Sequence, residues 1–281
     1  MTFTNREEQL KQEIEAWENR LDQLAPTSIE STYEEWVNKA ISLIPPHVLE
    51  RYLEKINESM FYLTALVQGT EMQMQAAKRI IETARVFDEN ISEISQLKQL
   101  QVSQLSYICE HQLAKQRLYS LSQGALSGTG QPLLLGVDLP ALLFINLQAI
   151  QQAAMSYGYD VHAPSELMLT LKVFHGAILP KHLQRAGWEQ MKQELNQSFD
   201  PYFYEGPEHI IDETCIHKML VEIAKAILIL ITKRRLYNHL PLVSMVVGSG
   251  MNYRFTRQVT EYAKRFYQYR YLSEKCELIK E

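Results

Sequence analysis

The chain is poor in residues that make turns and crosslinks. Its 281 residues include 11 glycines and 10 prolines, few for a turn-rich β fold and more typical of long helices. The three cysteines, Cys109, Cys215 and Cys276, cannot all pair internally and none belongs to a CxxC motif, which favours a reducing compartment. No apolar signal-peptide core and no run of about 18 apolar residues is present. We therefore expect a cytoplasmic protein without an ordinary transmembrane helix.

Charge is unevenly distributed along the chain. The net charge of −5 provides no global attraction for polyanions, so we expect no nucleic-acid partner. Residues 1–35 hold nine acidic against three basic side chains, whereas residues 233–275 hold nine basic against two acidic. These two blocks can attract each other within the fold, or the basic block can meet an anionic membrane surface.

Apolar residues at helical spacing predict two helices at the N-terminus. The first stripe indicates a helix that packs on its own domain. A second apolar face follows and ends before Pro45 and Pro46, which cannot continue a helix. We interpret residues 1–46 as a helical hairpin packed on the core and residues 47–281 as an all-helical domain. The stripe comprises Leu10, Ile14, Trp17, Leu21 and Leu24, and the second face Tyr33, Trp36, Val37, Ala40, Ile41 and Ile44.

The remaining sequence predicts helices throughout, and no β-type alternation of useful length is found. The chain is expected to be helical from His47 to Gln123, with breaks or caps at Asn90 and Ser92, and to break again at Gly124–Gly136. The fold class is therefore all-α, a single multi-helix bundle with an N-terminal helical hairpin and a central apolar helix.

Later segments contain two strongly apolar stretches. Residues 139–157 predict a helix that is apolar nearly all round, and residues 223–232 are the apolar centre of a helix reaching Tyr237. Each is either buried in the core or in contact with lipid. Pro164 to about Ile178 predicts another helix. Residues 187–213 are predicted to be irregular, and a break at residues 240–252 to precede a final helix.

The sequence contains none of the motifs HExxH, GxSxG or GxxxxGK[ST]. We therefore predict no metal site and no cofactor. The segment Ser-Gly-Thr-Gly at residues 127–130 is interpreted as a turn that needs positive φ, with a backbone anion-binding nest as the alternative. The nearest metal-like grouping is interpreted as polar residues at a helix start, and it comprises His209, Asp212, Glu213 and His217.

Asp138 is an acid within an apolar stretch, directly before Leu139 and Pro140. We interpret it as the N-cap of the apolar helix, because a carboxylate there satisfies an orphan backbone N–H at the positive end of the helix dipole. The alternative is a functional acid. The two interpretations are compatible.

Two segments resemble the EcsC family. Ala125 to Asp160 resembles the family signature of small residues with Thr-Gly, an apolar stretch, Asp-x-Pro, an apolar helix and Tyr-Gly-Tyr-Asp. Leu240 to Leu272 resembles a second block, in which a Pro- and Gly-containing stretch leads to Asn, Thr, a helix and a closing Arg. The matching positions are Thr129, Gly130, Asp138, Pro140, Tyr157, Gly158, Tyr159 and Asp160, then Pro241, Gly248, Asn252, Thr256, Ala263 and Arg270.

The resemblance implies work near the inner, cytoplasmic face of a bacterial membrane. The family is named after a protein encoded beside the two components of an ABC transporter linked to secretion and intramembrane proteolysis. No catalytic residues come with the resemblance. We favour a non-enzymatic, peripheral accessory or binding protein whose partner is an anionic membrane surface or a membrane transport component.

The alternative is a hydrolase-like enzyme with a site where the two blocks meet. Asp138, Asp160, Asn252 and Thr256 would supply the polar groups, with His162 as a base. The complete candidate set is Thr129, Gly130, Asp138, Tyr157, Tyr159, Asp160, His162, Asn252, Thr256 and Arg270.

Overall fold

A computed structural model describes residues 3–23, 62, 64, 66–127, 135–196 and 241–280, with the ends of several helices described as backbone alone. The described residues form α-helices and one short 3₁₀ helix and contain no β-strand, which confirms the all-α fold. The helices are α1 (Asn5–Asp22), α2 (Glu71–Ala84), the 3₁₀ helix (Ile94–Gln99), α3 (Val102–Ser127), α4 (Leu135–Ser156), α5 (Pro164–Ile178), α6 (Lys181–Asn196) and α7 (Pro241–Lys280).

Three long helices, α3, α4 and α7, form the centre of the bundle. Ser106 near the start of α3 contacts Tyr157 after the end of α4 and Gln268 near the end of α7. Further along α3, Gln123 accepts a hydrogen bond from Asn252 near the start of α7. α3 therefore runs antiparallel to both partners, and α4 and α7 run parallel to each other.

The remaining helices cover this centre. α5 packs on α4 and α7, α6 packs on α5, and α2 packs on α3 and α4. The helix α5 begins at Pro164 and ends at Ile178, as its sequence predicts. Proline suits the first turn because its missing N–H has no intrahelical partner there.

α1 has the N-terminal signals that a stable helix needs. The Thr4 hydroxyl accepts from the Glu7 backbone N–H, and the Glu7 carboxylate accepts from the Thr4 N–H at 2.8 Å. This capping box satisfies two otherwise orphaned donors. The predicted stripe is confirmed for Leu10, Ile14, Trp17 and Leu21, which are buried against the rest of the bundle. Leu24, the second helix of the predicted hairpin and hence the division at residue 46 lie outside the described residues.

An aromatic cluster joins α1, α6 and α7. The ring centroids of Trp17 and Trp188 are 4.8 Å apart, and each is within 5.6 Å of the Tyr262 ring in edge-to-face geometry. Gly176 on α5 allows Tyr262 to approach, because a Cβ at position 176 would lie 2.8 Å from Tyr262 Cζ and closer still to its hydroxyl oxygen. The cluster fixes four helices relative to one another.

Two predicted irregular segments are helical. α6 covers Lys181–Asn196, so the expectation of an irregular chain from residue 187 is wrong for its first ten residues. Gly187 is a packing residue rather than a breaker, since a Cβ there would lie 2.5 Å from Leu179 Cδ1. α7 runs without interruption from Pro241, so the predicted break at residues 240–252 is also wrong. A glycine costs a helix only about 1 kcal/mol, which packing against α3 offsets.

One predicted helix is interrupted. Between Ala84 and Val102 the chain leaves the α-helix and contains only the short 3₁₀ helix, although residues 47–123 were expected to be largely helical. Asn90 lies at this break, as expected. Its backbone N–H donates to the Asp88 carboxylate at 3.0 Å, and Arg85 Nε donates to the Ile91 carbonyl at 2.8 Å. These local side-chain bonds compete with helical ones.

Candidate functional site

The Tyr-Gly-Tyr-Asp segment forms the exit from α4. The Gly158 N–H donates to the Met155 carbonyl at 3.0 Å, and the Tyr159 N–H donates to the Ala154 carbonyl at 3.2 Å. This pair of bonds is a Schellman motif, in which the residue after the helix adopts a left-handed conformation. Gly158 has a φ of +82°, and a Cβ there would lie 2.7 Å from Lys98 Cγ. The segment therefore needs glycine for both conformation and space.

Tyr157, the first tyrosine of this segment, is fully buried. Its hydroxyl lies 3.1 Å from Ser106 Oγ, which also accepts from Gln268 Nε2 at 3.3 Å. Burial raises the pKa of Tyr157 far above its ordinary value, so the phenol stays neutral. The contacts link α3, α4 and α7 at one level of the bundle and leave Tyr157 in a structural position.

Tyr159, the second tyrosine, is buried beneath two cations. The Arg270 guanidinium carbon lies 3.8 Å from the Tyr159 ring centroid, and Lys98 Nζ lies 4.4 Å from it. The Tyr267 ring is 5.6 Å away. Such cation–π contacts are worth roughly 0.5–2 kcal/mol each, depending on desolvation. The structure thus brings Tyr159 and Arg270, two of the predicted site residues, into direct contact.

Arg270 also forms an ion pair with Glu166 in the first turn of α5. Glu166 is almost fully buried, and Tyr267 donates to its carboxylate at 3.4 Å. Burial raises the pKa of the Glu166 carboxyl, and the positive charge of Arg270 opposes that rise. Arg270 Nε contacts Glu274 at 3.1 Å, and Glu274 contacts Lys98 at 2.9 Å.

This arrangement, the Arg270 cluster, joins α5, α7, the 3₁₀ helix and the exit from α4. It comprises Lys98, Tyr159, Glu166, Tyr267, Arg270 and Glu274. Each carboxylate in it already contacts a cation. Tyr159 and Arg270 are among the site residues predicted from the sequence, whereas the other four are not. The available signal was Glu166, an acid in the first turn of a helix whose following residues are mostly apolar.

Asp160 and His162 lie on the surface loop after the Arg270 cluster. The Asp160 carboxylate accepts from the His162 backbone N–H at 3.0 Å and contacts His162 Nδ1 at 2.9 Å. Both side chains are more than 70% exposed. Desolvation acts to raise the pKa of Asp160, but the hydrogen bonds from His162 outweigh it and lower the pKa. The bonds form an Asx turn in open solvent.

Asn252 and Thr256 are buried between α7 and α3. Asn252 Nδ2 donates to Gln123 Oε1 at 3.4 Å, and Thr256 Oγ1 donates to Ser120 Oγ at 2.7 Å. Arg270 is 18 positions after Asn252 on the same helix, a separation of about 27 Å. These two residues are therefore far from the Arg270 cluster.

Asp138 lies inside α4, because the helix begins at Leu135 rather than Leu139. The interpretation of Asp138 as the N-cap is wrong. It occupies the first turn, where an acid remains favourable beside the helix dipole. A glycine at position 136 costs too little to prevent the earlier start. Along α4, Asp138 is about 28 Å from Tyr157. Thr129 and Gly130 lie outside the described residues.

The helices that carry the two sequence blocks, α4 and α7, pack side by side and do not converge on a single site. Because α4 and α7 run parallel, Asp138 near the start of α4 lies toward the same end of the bundle as Asn252, whereas Tyr159 stacks on Arg270 at the other end. The candidate residues thus divide between opposite ends of the bundle. Asp138, Asn252 and Thr256 lie toward one end, and Tyr157, Tyr159, Asp160, His162 and Arg270 toward the other.

A groove of about 460 Å³ lies beside the Arg270 cluster, between the start of α1, the start of α3 and the end of α7. None of the predicted site residues lines it. Lys275 pairs with Glu7, and Lys98 pairs with Glu274, so its charges are compensated by neighbours. Its other lining residues include Thr4, Arg6, Leu100, Val102 and Tyr271.

Metal ligation finds no geometric support in the part of the chain that the structure describes. That part contains no group of three or more His, Cys, Asp or Glu side chains able to hold a metal ion. The grouping from His209 to His217 lies outside it. Burial raises the pKa of Cys109 to about 12, so its thiol is neutral and unreactive.

Among the described helices, none combines the length and apolar character needed to cross a bilayer. The EcsC protein family model matches residues 8–272 of the chain. No curated protein and no solved structure matches it.

Proposed function

The chain belongs to the EcsC protein family, and we propose that it is a non-enzymatic, membrane-proximal binding protein that contacts the cytoplasmic face of a bilayer through one end of its helix bundle. We call this the uncharged end. It consists of residues 118–127 of α3, 135–142 of α4 and 241–253 of α7.

The location of these three segments follows from the helix register. Gln123 on α3 pairs with Asn252 on α7, and Gln116 on α3 pairs with Gln148 on α4. Both pairings place the end of α3 beside the starts of α4 and α7. α7 begins 11 positions before Asn252, and α3 ends four positions after Gln123, so about seven residues of α7 extend roughly 10 Å beyond Ser127.

Charge segregation along the bundle is the observation that carries the proposal. Residues 118–159 contain one charged side chain, Asp138, and residues 241–253 contain none. The described ion pairs of α7 all lie toward its other end and involve Lys264, Arg265, Arg270, Glu274 and Lys275. The apolar region of a bilayer accepts uncharged surface and disfavours buried charge, whereas basic side chains are favoured at the level of the headgroups.

The uncharged end also presents exposed apolar side chains. Leu118 and Leu121 at the end of α3 are 58% and 38% exposed, and Tyr119 is also exposed. Moving each into the interface contributes about 1 kcal/mol at partial burial. The sequence directly before α7 carries Lys233, Arg234 and Arg235, and each contributes about 1 kcal/mol beside anionic lipid. Together they favour shallow, salt-sensitive attachment.

Vesicle co-sedimentation tests this proposal. We expect the protein to bind vesicles of phosphatidylcholine mixed with phosphatidylglycerol, and to bind pure phosphatidylcholine more weakly. L118E and L121E place a carboxylate at the uncharged end and should reduce binding about tenfold or more. L66E is the matched control, because Leu66 is 44% exposed and adjoins residues that contact Gln151 and Val161 near the far end of α4.

Three results would count against membrane contact by this end. They are no binding of wild type to anionic vesicles at low salt, equal loss in L66E and L118E, or unchanged binding after both α3 substitutions. Neutralising Lys233, Arg234 and Arg235 together with glutamine should remove only the preference for anionic lipid. The same proposal includes a membrane transport component as a protein partner. The amount of such a component that co-purifies from membranes with wild type and with L118E would show whether its binding requires the uncharged end.

The hydrolase-like alternative has no comparable support, since its polar groups divide between the two ends of the bundle. D160N tests it directly. Asparagine retains the acceptor for the His162 N–H, so we expect a change in unfolding free energy of less than about 0.5 kcal/mol and unchanged vesicle binding. A folded D160N protein that loses its cellular role would favour an enzyme.

A further inference from the structure

Four glutamines form a ladder between α3 and α4. Gln116 Nε2 donates to Gln148 Oε1 at 3.0 Å, and both side chains are fully buried. Gln112 lies four positions before Gln116, and Gln152 four positions after Gln148. Because the helices are antiparallel, these two occupy the next rung, one turn further along. The contact of Ser106 with Tyr157 confirms the same register beyond them.

Most of the amide atoms in this glutamine ladder have no protein partner. Both polar atoms of Gln112 are unpaired, as are Gln116 Oε1, Gln148 Nε2 and Gln152 Nε2. All four side chains are at most 2% exposed. Buried unpaired amides each lose their hydration without compensation, and five of them oppose folding on the scale of a whole domain's stability. A stable bundle needs these atoms satisfied.

The chemistry of the unpaired atoms limits what can satisfy them. Three are donors and two are acceptors, and rotating a terminal amide exchanges its roles without removing either kind. An anion would use only the donors, and a cation only the acceptors. The adjacent Cys109 thiol is neutral, since burial raises its pKa. A neutral molecule that both donates and accepts fits this mixed set, and water meets it with up to four bonds.

We propose that the glutamine ladder binds a small cluster of internal water molecules, held between Gln112, Gln116, Gln148 and Gln152, as an integral part of the α3–α4 interface. The cluster completes the hydrogen bonding of an interface whose two helices also supply the uncharged end. This assignment does not depend on membrane binding and would stand if vesicle binding failed.

A high-resolution crystal structure and water ¹⁷O relaxation dispersion on the full-length wild type test the assignment. We expect an ordered water bonded to the Gln112 amide and to at least one other ladder amide, and a long-lived internal-water contribution to the relaxation. Direct Gln112–Gln152 amide pairing without water, or another molecule in the interface, would overturn it. These measurements need no variant, so they remain decisive even if substitutions prevent folding.

The double variant Q112M/Q152M gives a second readout. Methionine keeps the length of the side chain but cannot hold water, so the variant should lose relaxation amplitude and unfold at lower urea concentration than wild type. An unchanged relaxation amplitude in the folded variant would place the long-lived water elsewhere and would overturn the proposal. Q75M is the matched control, because Gln75 is an exposed helical glutamine and should leave both measurements unchanged.

Discussion

Replacing Gly158 with alanine tests the central claim about the Tyr-Gly-Tyr-Asp segment, that its glycine is a structural requirement of the α4 exit. At a φ of +82° an alanine side chain is strained by about 1–2 kcal/mol. Its Cβ would also lie 2.7 Å from Lys98 Cγ, 3.1 Å from the Lys98 backbone nitrogen and 3.3 Å from the Ile94 carbonyl oxygen. Lys98 can rotate, but the backbone atoms cannot move without displacing the 3₁₀ helix.

The expected magnitude follows from three contributions. Strain costs about 1–2 kcal/mol, and crowding against the 3₁₀ helix adds about 1–3 kcal/mol. The reduced entropy of the unfolded chain returns about 0.4–1 kcal/mol. We therefore expect G158A to lower the free energy of unfolding by about 1–4.5 kcal/mol. Movement of Lys98 would also weaken its contacts with Tyr159 and Glu274.

Urea unfolding followed by circular dichroism measures this change, and G250A provides a control of opposite sign. Gly250 lies inside α7, and a Cβ at this position would have no neighbouring atom within 4 Å, so alanine should stabilise the protein by about 1 kcal/mol. The reasoning is refuted if G158A unfolds within about 1 kcal/mol of wild type, a limit set by the smallest predicted strain. Destabilisation by G250A would contradict a continuous α7.

Three further experiments test other contacts. G176A should lower the free energy of unfolding by about 1–3 kcal/mol, because the new Cβ clashes with Tyr262. Adding Y262F should restore part of this stability in urea unfolding, and no recovery would contradict the clash. R270A leaves Glu166 buried without its cation and should lower the free energy of unfolding by about 3–5 kcal/mol at pH 7. Because burial raises the Glu166 pKa, the carboxyl becomes neutral as pH falls toward 4.5 and this loss of stability should shrink. A loss that does not depend on pH would contradict a buried Glu166–Arg270 ion pair. Desolvation acts to raise the Glu18 pKa, but hydrogen bonds from Trp188 and Lys192 outweigh it and lower the pKa. The stability that Glu18 contributes is therefore present above pH 4.5 and is lost as pH falls further. E18Q should reduce the dependence of the unfolding free energy on pH below 4.5, and an unchanged dependence would exclude Glu18 as its source.

The helices with strong local signals were predictable from sequence. The apolar stripe predicted α1 and Pro164 predicted the start of α5, and both helices form as expected. The predictions were wrong for two glycine-containing segments that were expected to be irregular or to break a helix. Gly187 instead provides space for Leu179, and α7 passes through Gly248 and Gly250. A cost of about 1 kcal/mol per glycine is smaller than the gain from packing a helix on its neighbours.

The candidate site was only partly predictable. The sequence identified Tyr159 and Arg270 separately, and the structure stacks one on the other. It did not indicate Glu166 as the partner of Arg270, because 104 positions separate them. Asn252 and Arg270 were assigned to one candidate site, although the final helix predicted after residue 252 already separates them by 18 positions, about 27 Å along a helix axis.

Sequence alone determined the all-α class, the α1 stripe, the position of α5 and the concentration of uncharged residues at 118–159, because helical periodicity and charge content are local properties of the chain. Only the tertiary structure decided that α4 and α7 run parallel, that four glutamines face each other in the interior, and that the uncharged segments of three helices meet at one end. Those outcomes depend on helix direction and register, which are set by side-chain packing between residues far apart in the sequence.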